Sequence, residues 1–252
     1  MTDSERSKTG VPIYHHKSET ESKIASYEAK YLEEIENHVG KHIGKIDRVL
    51  HEFVSLTVHV DILIVRPTAQ IPFLTLITSG MSDLAMTVPD HIDTPEDYEL
   101  AEVIAFLPDW WPEKHPYFKD FSNSIEKPTG YCPIEWLKFY ARMPHEFKTS
   151  LAWKHTSANG DPAAPICEGT EMRGFVFLPP VILPEDAWRV RTKNGRFINL
   201  LTLIPIHEDE MNLALNTGTD KLIDTLIARD VGVDFSLDRP SALKRKKLFG
   251  LL

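Results

Sequence analysis

The sequence lacks several features that would place it in a specialised class of protein. Its 252 residues contain no run of about 18 apolar residues, so no membrane span is predicted. Residues 1–8 are polar and form no apolar signal core, so we predict a cytoplasmic protein without a membrane partner. Only two cysteines are present, Cys132 and Cys167, and neither has ligand-like spacing to another cysteine or histidine. We therefore expect two buried thiols, not a disulfide.

Basic residues are fewer than acidic ones, with 28 Lys and Arg against 37 Asp and Glu. The net charge of −9 argues against a nucleic-acid surface and favours a basic partner. The negative charge is concentrated in one segment that contains no lysine or arginine, with carboxylates at Asp90, Asp93, Glu96, Asp97, Glu99 and Glu102. Residues 244–247 form a basic cluster near the C-terminus. A solvated face is the simpler interpretation of either cluster, and a binding surface is the alternative.

Two apolar stretches, 73–82 and 197–206, are predicted to form the centre of the fold. Their apolar residues are too continuous for a strand with one solvated face, so each is predicted to lie inside a sheet that is covered on both sides. A third strand is predicted at 56–65, where apolar residues alternate up to Pro67. The short connection from this strand to residue 73 favours an antiparallel hairpin.

The rest of the pattern mixes strands and helices. Further strands are predicted at 83–88, 98–107, 175–178 and 187–192, the last of which pairs with 196–204 around Asn194-Gly195. Helices are predicted from residue 18 to the glycines at 40 and 44, and at 134–147, 205–215 and 219–227, with an irregular loop at 154–170. Since the order is not βαβ, we predict an α+β fold with a central mixed or antiparallel sheet flanked by amphipathic helices.

These elements predict one globular domain with a tail at each end. The domain is predicted at 17–240, after a flexible N-terminal tail at 1–16 and before a basic C-terminal tail at 241–252.

Familiar catalytic and metal-binding motifs are incomplete in this sequence. The segment 207–211 begins like a zinc-protease helix, but Met211 stands where the second histidine is needed, so no metal site is predicted. Its acidic residues at 208–210 are better explained as complements to a helix dipole. Ser79 lacks the flanking glycines of a nucleophile elbow, and no glycine loop has phosphate-binding spacing. We predict no catalytic residue and no cofactor.

A series of short motifs follows the predicted strands in a fixed order. The motifs are Val60–Thr68, Phe73–Ser82, Met86–Pro89, Glu99–Trp110 with its Leu-Pro-Asp-Trp, Trp136–Pro144, the loop around His155, and Ile198–Ile206 followed by Gly218. In this order they resemble the Suppressor of fused domain family over roughly residues 45–230. The positions that carry the resemblance include Asp61, Thr78, Gly80, Met81, Ser82, Trp110, His155, Asn199 and Pro205.

The resemblance implies a binding module without catalysis. The founding animal protein of the family holds a Hedgehog-pathway transcription factor by adding an extended peptide to its sheet, in a cleft between two domains. This chain has the length of the first of those domains only. Short members resemble bacterial proteins that are associated with immunity against secreted toxins, many of them nucleases. The implied partner is therefore a basic toxin domain, and the acidic segment is the candidate interface.

Two other functions remain open at this point. One is a peptide-binding adaptor that uses an open sheet edge. The other is a hydrolase with an unrecognised site near Asp61, Ser79 and His155, which would require those three side chains to lie within hydrogen-bond reach. The sequence does not predict an oligomeric state.

Overall fold

A mixed sheet of eight strands forms the centre of the computed structural model, which describes residues 5–10, 12–15, 28–53, 55, 57–121 and 127–244. The strands of this sheet are β3 (Ile46–Leu50), β4 (Asp61–Val65), β5 (Phe73–Ser79), β6 (Ala101–Pro108), β7 (Thr156–Ala158), β8 (Met172–Leu178), β9 (Arg189–Arg191) and β10 (Phe197–His207). Their spatial order is β3-β4-β5-β6-β10-β8-β7, and β9 pairs with β10. The predicted α+β class and mixed sheet are confirmed.

Strand directions in the sheet follow the chain connections. The pairs β3–β4, β4–β5 and β5–β6 are antiparallel, as are β10–β8, β10–β9 and β7–β8. Among the strand pairs of the described residues, only β6–β10 is parallel, with Asn199 opposite Ala101. The predicted hairpins β4–β5 and β9–β10 are both confirmed.

Helices cover the sheet and complete its two hydrophobic faces. They are α1 (Leu32–His42), α2 (Trp111–Lys114), α3 (Tyr117–Asp120), α4 (Cys132–Glu146), α5 (Glu208–Thr217) and α6 (Thr219–Ala228). Along β4, Ile62 and Ile64 pack into the core beneath α4, whereas Leu63 and Val65 pack into the core beneath α1. Both side-chain rows of the strand are therefore buried, which explains why its sequence shows no solvated face. Among the described residues, no helix is long and apolar enough to cross a membrane.

Two strand predictions were wrong. The predicted strand 56–65 begins only at Asp61: its first residue, Leu56, lies outside the described residues, and residues 57–60 form a loop in which the His59 side chain turns back to bond to Asp61. Residues 83–88 form no strand, and after a 3-10 turn at Met81–Asp83 they connect the sheet to the acidic segment.

The ends of the chain are described only in part. Within the predicted flexible tail, β1 (Glu5–Arg6) and β2 (Pro12–Ile13) form a two-stranded antiparallel ribbon. Residues 18–27 of the predicted helix lie outside the described residues, as does 245–252 of the predicted basic tail. Residues 28–31 are not helical, so the helix begins later than predicted, at Leu32. The domain boundaries remain predictions.

The two cysteines correct a further prediction. Cys132 and Cys167 are joined by a disulfide, with their Cα atoms 6.1 Å apart, a normal separation for a disulfide. The bond links the first residue of α4 to the irregular loop before β8, and Trp136 Nε1 donates a hydrogen bond of 2.7 Å to the Ile166 carbonyl beside it. Proximity in the fold, which the spacing of 35 residues does not reveal, makes the pairing possible. The cytoplasmic location remains a prediction.

Candidate functional site

The acidic segment forms a surface at the amino-terminal end of β6. The predicted acidic segment ran from Asp90 to Glu102. From here on the name covers residues 90–99, which precede β6 and include a 3-10 turn at Pro95–Asp97. Asp90, Asp93 and Glu96 are exposed, whereas Asp97 and Glu99 are half-buried. Three carboxylates therefore face solvent within seven residues of chain, a density that produces a local negative potential.

The acidic segment is fixed to the sheet by side-chain and backbone bonds. Asn199 Nδ2 on β10 donates a hydrogen bond of 2.7 Å to the Asp97 carbonyl. The backbone N–H of Met86 donates one of 2.8 Å to the Glu99 carbonyl, and the Glu99 carboxylate forms an ion pair with Arg196. These bonds hold the end of the segment, residues 97–99, against the sheet, which lowers the entropy that this part of the backbone loses when a partner binds.

Glu102 does not belong to this surface, contrary to our prediction. Its side chain is completely buried in β6. Oε1 accepts hydrogen bonds of 3.0 Å from the Gly80 and Ser82 N–H groups and of 2.6 Å from Ser82 Oγ, and Oε2 lies 2.6 Å from Thr78 Oγ1. Burial raises the pKa of Glu102 above its usual value, since these neutral donors offset only part of the desolvation.

The Thr78–Ser82 turn therefore supplies the hydrogen-bond donors that bind the Glu102 carboxyl group. Gly80 adopts φ +120°, and a Cβ at this position would clash with the carbonyl oxygen of His59, so only glycine fits here. Met81 is fully buried, and its carbonyl accepts a hydrogen bond of 3.0 Å from His145 Nε2. The small-residue motif after β5 thus has a structural explanation.

A second buried carboxylate, Asp61, organises the loop before β4. Its Oδ1 accepts hydrogen bonds from the Glu52 N–H at 3.0 Å and pairs with His59 Nε2 at 2.9 Å, while Oδ2 pairs with His51 Nδ1 at 2.9 Å. The Asp61 side chain is 2% exposed, whereas that of His51 is 67% exposed. The carboxylate therefore anchors an imidazole that faces solvent.

Glu52 connects this loop to α4. Its carboxylate forms an ion pair with Arg142, lies 3.7 Å from Lys138 Nζ, and accepts hydrogen bonds from Ser55 Oγ and the Val60 N–H. Burial alone would raise the pKa of Glu52, but the hydrogen bonds from Ser55 and Arg142 outweigh it and hold the pKa below its usual value. The cluster is not visible in the sequence, because Glu52 and Arg142 lie 90 positions apart in the chain.

The three residues of the alternative hydrolase site are not brought together. Asp61 and Ser79 are directly opposite each other in β4 and β5. His155 directly precedes β7, and its carbonyl accepts the Phe177 N–H of β8, so five strand spacings, roughly 24 Å, separate it from Asp61. His155 is exposed, and its Nδ1 accepts the Ala152 N–H at 3.3 Å. The geometry does not support a catalytic set made of these residues.

The remaining predicted positions have distinct surroundings. Trp110 follows β6 and is 37% exposed. Pro205 lies within β10, and its carbonyl accepts a hydrogen bond of 2.9 Å from Arg239. Within the part of the chain that the structure describes, no group of three or more His, Cys, Asp or Glu side chains could hold a metal ion.

The order of these strands and motifs agrees with a comparison to protein families. The family model described as Suppressor of fused protein (SUFU) matches residues 57–240. The chain belongs to the Suppressor of fused family. The matched region contains the acidic segment, both buried carboxylates and the Trp110 turn. A search of curated protein sequences finds no match.

Solved structures show the same fold at low sequence identity. A Suppressor of fused homologue from Neisseria gonorrhoeae matches with a TM-score of 0.56 and 14% identity, over 87% of this chain and 98% of that chain. The Sufu–Fu complex crystal structure matches with a TM-score of 0.58 and 11% identity, over 84% of this chain and 91% of that chain. These likenesses support the fold and, at such identities, nothing finer.

Proposed function

We propose that this chain is a non-enzymatic protein-binding domain whose acidic segment binds a basic protein. We propose further that it is a bacterial immunity protein and that the partner is a toxin domain, which it neutralises by sequestration. The observation that carries the proposal is the set of exposed carboxylates at Asp90, Asp93 and Glu96 on a segment that is fixed to the sheet.

Three further observations support the proposal, the first two for binding to a basic protein and the third for a role without catalysis. The net charge is −9, so long-range attraction accelerates encounter with a basic partner. The family match covers the whole acidic segment, and one structural relative is described as a complex, Sufu–Fu. The ionisable clusters around Asp61 and Glu52 are internally hydrogen-bonded, an arrangement typical of structural networks.

The first experiment identifies the partner. The purified chain serves as bait in a pull-down from cells of its source organism, and mass spectrometry identifies the proteins retained. We expect a basic domain whose toxic activity is blocked by an equimolar amount of the chain. Retention of no basic protein would contradict the proposed role.

The second experiment tests the surface. In the variant Asp90→Lys, Asp93→Lys, Glu96→Lys, we expect association with the partner to slow by about tenfold at low salt. The matched control, Glu185→Lys, Asp186→Lys, Asp224→Lys, changes the net charge equally at exposed positions elsewhere. Equal effects of the two variants would indicate a non-specific charge effect, and no effect of the first would remove the acidic segment from the interface.

An open sheet edge supports a second candidate, a peptide-binding adaptor. In the described part of the chain, β3 pairs with β4 on one side only, so its other edge can accept an extended peptide. Asp47 and Arg48 are exposed on this strand. Hydrogen exchange separates the two candidates: partner-induced protection of backbone amides in β3, retained in the acidic-segment variant, would favour the adaptor.

A further inference from the structure

A pocket lies at the carboxyl end of β6, where β6 and β10 separate. The parallel pairing of β6 and β10 ends near Ile104. Beyond it, the segment that follows α6 approaches β6: Asp234 forms a parallel bridge with Phe106, and the Phe235 N–H donates a hydrogen bond of 2.7 Å to the Phe106 carbonyl. The end of β6, the residues that follow it and residues 234–238 line an open pocket of about 410 Å³, within the size range of ligand sites.

One wall of the pocket is an aromatic ring with a fixed orientation. Trp110 is 37% exposed, and its ring stacks on Trp111 with the ring centroids 5.5 Å apart. Trp111 is almost completely buried and packs edge-on against Phe118 and Phe235. Because its neighbour is held in the core, Trp110 presents a stable ring to the pocket.

The ammonium group of Lys114 already lies against the ring of Trp110. Lys114 Nζ lies 5.1 Å from its ring centroid, within the range of a cation–π interaction. Lys114 is one helical turn after Trp110 in α2 and has an exposed, flexible side chain. It can therefore leave the ring at little energetic cost when a better-placed cation enters.

The opposite wall carries negative charge that this lysine does not neutralise. Glu113 also lines the pocket, but its carboxylate pairs with Lys119 Nζ at 2.7 Å. Asp234 and Asp238 line the pocket as well, and neither forms an ion pair with a described residue within 4.0 Å. Burial raises the pKa of Asp234 above its usual value, although the positive charge of Arg239 lowers it in part. The Arg239 guanidinium lies near Asp234 but forms its ion pair with Glu210, so the pocket lining itself contains two carboxylates without an ion pair and one lysine that does not neutralise both.

We propose that this pocket binds an organic cation, the guanidinium or ammonium group of a side chain from a protein partner, which displaces Lys114 from the ring of Trp110. The ring and the two aspartates together match a planar or compact cation on an aliphatic stem. The pocket is wide open at the surface, and the resident cation is itself a side chain, which favours a side chain from another protein over an enclosed small molecule.

This site is separate from the acidic segment. β6 has eight residues, so its two ends lie roughly 23 Å apart, with the acidic segment before one end and the pocket after the other. The proposal extends the proposed function by adding a second anchor for a basic partner. Its test uses no toxin, so either proposal can fail without the other.

The test is a titration of the full-length chain with arginine whose two ends are blocked by acetyl and methylamide groups. Binding is followed through the backbone amide signals of Ser236 and Asp238 in NMR spectra, because both residues line the pocket and are retained in every variant. We expect saturable binding, which Trp110→Leu weakens by about tenfold, equivalent to the contribution of one partly desolvated cation–π contact. Asp234→Asn should weaken binding in the same direction.

The decisive variant is Lys114→Met, which removes the resident cation. We expect it to tighten binding of blocked arginine about threefold, since the ligand no longer competes with Lys114 for the ring. The control Lys221→Met removes an exposed lysine on α6 and should leave the affinity unchanged. Equal or weaker binding to the Lys114→Met variant would overturn the displacement proposal.

Two further ligands distinguish the chemistry and the source of the cation. Blocked citrulline is the neutral isostere of blocked arginine, and equal affinity for the two would overturn a cation site. Tetramethylammonium represents a free small cation, and binding of this ion without binding of blocked arginine would overturn a protein side chain as the occupant. Failure of all three ligands to bind would overturn the proposal entirely.

Discussion

Two buried glutamates show how differently one fold can hold the same side chain. Glu102 in β6 is surrounded by neutral donors from Thr78, Gly80 and Ser82. Glu210 in α5 accepts two hydrogen bonds from the Arg239 guanidinium, at 2.6 Å and 2.7 Å, and two more from backbone N–H groups. Both side chains are completely buried, so burial alone does not distinguish them.

The difference lies in the charge of the partner. Burial raises the pKa of Glu102, and its neutral donors do not reverse the shift. Burial would also raise the pKa of Glu210, but the hydrogen bonds and charge of Arg239 outweigh it, so its pKa lies below the usual value. One carboxyl group therefore functions as a hydrogen-bond acceptor that tolerates loss of charge, and the other as half of an ion pair that does not.

Removing the Arg239 guanidinium should have the largest effect on stability. Arg239→Met leaves the Glu210 carboxylate buried without its ion-pair partner, and we expect the free energy of unfolding to fall by about 3–5 kcal/mol. Urea denaturation at pH 7 measures this change. Lys193→Met, which breaks an exposed ion pair with Glu33, is the control and should leave stability nearly unchanged. A small effect of Arg239→Met would show that Glu210 reaches water when its partner is lost.

Removing the Glu102 carboxyl group should have the next largest effect on stability. Glu102→Ala leaves the Gly80 and Ser82 donors buried without an acceptor, and we expect a loss of about 2–4 kcal/mol in urea denaturation. In Glu102→Gln, the amide oxygen retains the donors on Oε1 and the amide nitrogen can donate to Thr78 Oγ1, so we expect a change within about 1 kcal/mol. A glutamine variant as unstable as the alanine variant would mean that the donors of the Thr78–Ser82 turn require a full negative charge on their acceptor.

The smallest of the three effects should be a difference in how stability depends on pH at the two glutamates. The Glu102 contribution to stability is fully present below the unfolded pKa of 4.5 and is lost as pH rises through the higher folded pKa. The Glu210 contribution is present above 4.5 and is lost as pH falls through the lower folded pKa. Relative to its glutamine variant, the native chain should lose stability with rising pH at Glu102 and gain it at Glu210.

These slopes are limited to about 1.4 kcal/mol per pH unit for a single group. Urea denaturation of the native chain, Glu102→Gln and Glu210→Gln between pH 3 and pH 7 provides the measurement. Slopes of the same sign for the two sites would contradict the comparison.

The continuous apolar runs of β5 and β10 allowed the centre of the sheet to be predicted. Both strands bury two faces, and such burial requires apolar residues at successive positions. The turn signal Asn194-Gly195 likewise located the β9–β10 hairpin. The predicted strand at 56–65 was too long because alternation continues through His59, although the side chain of His59 bonds to Asp61 in a loop.

The candidate site was less predictable, for a physical reason. Glu102 belongs to an acidic run in the sequence, but it is the second residue of β6, and its donors come from a turn 20 to 24 positions earlier. Glu210 was assigned only to the helix dipole, and its partner Arg239 lies 29 positions away. A linear charge pattern contains no information about such long-range donors, so it cannot separate a surface carboxylate from a buried one.

The disulfide has a consequence for the integrity of the chain. Cys132 and Cys167 close the intervening chain, including α4 and β7, into a covalent ring. Residues 160–165 in this ring are mostly exposed and follow the short strand β7, so they offer a natural site for a protease. A single cut there would open the ring without releasing either half, and the nicked molecule would separate into two fragments under denaturing conditions only after reduction.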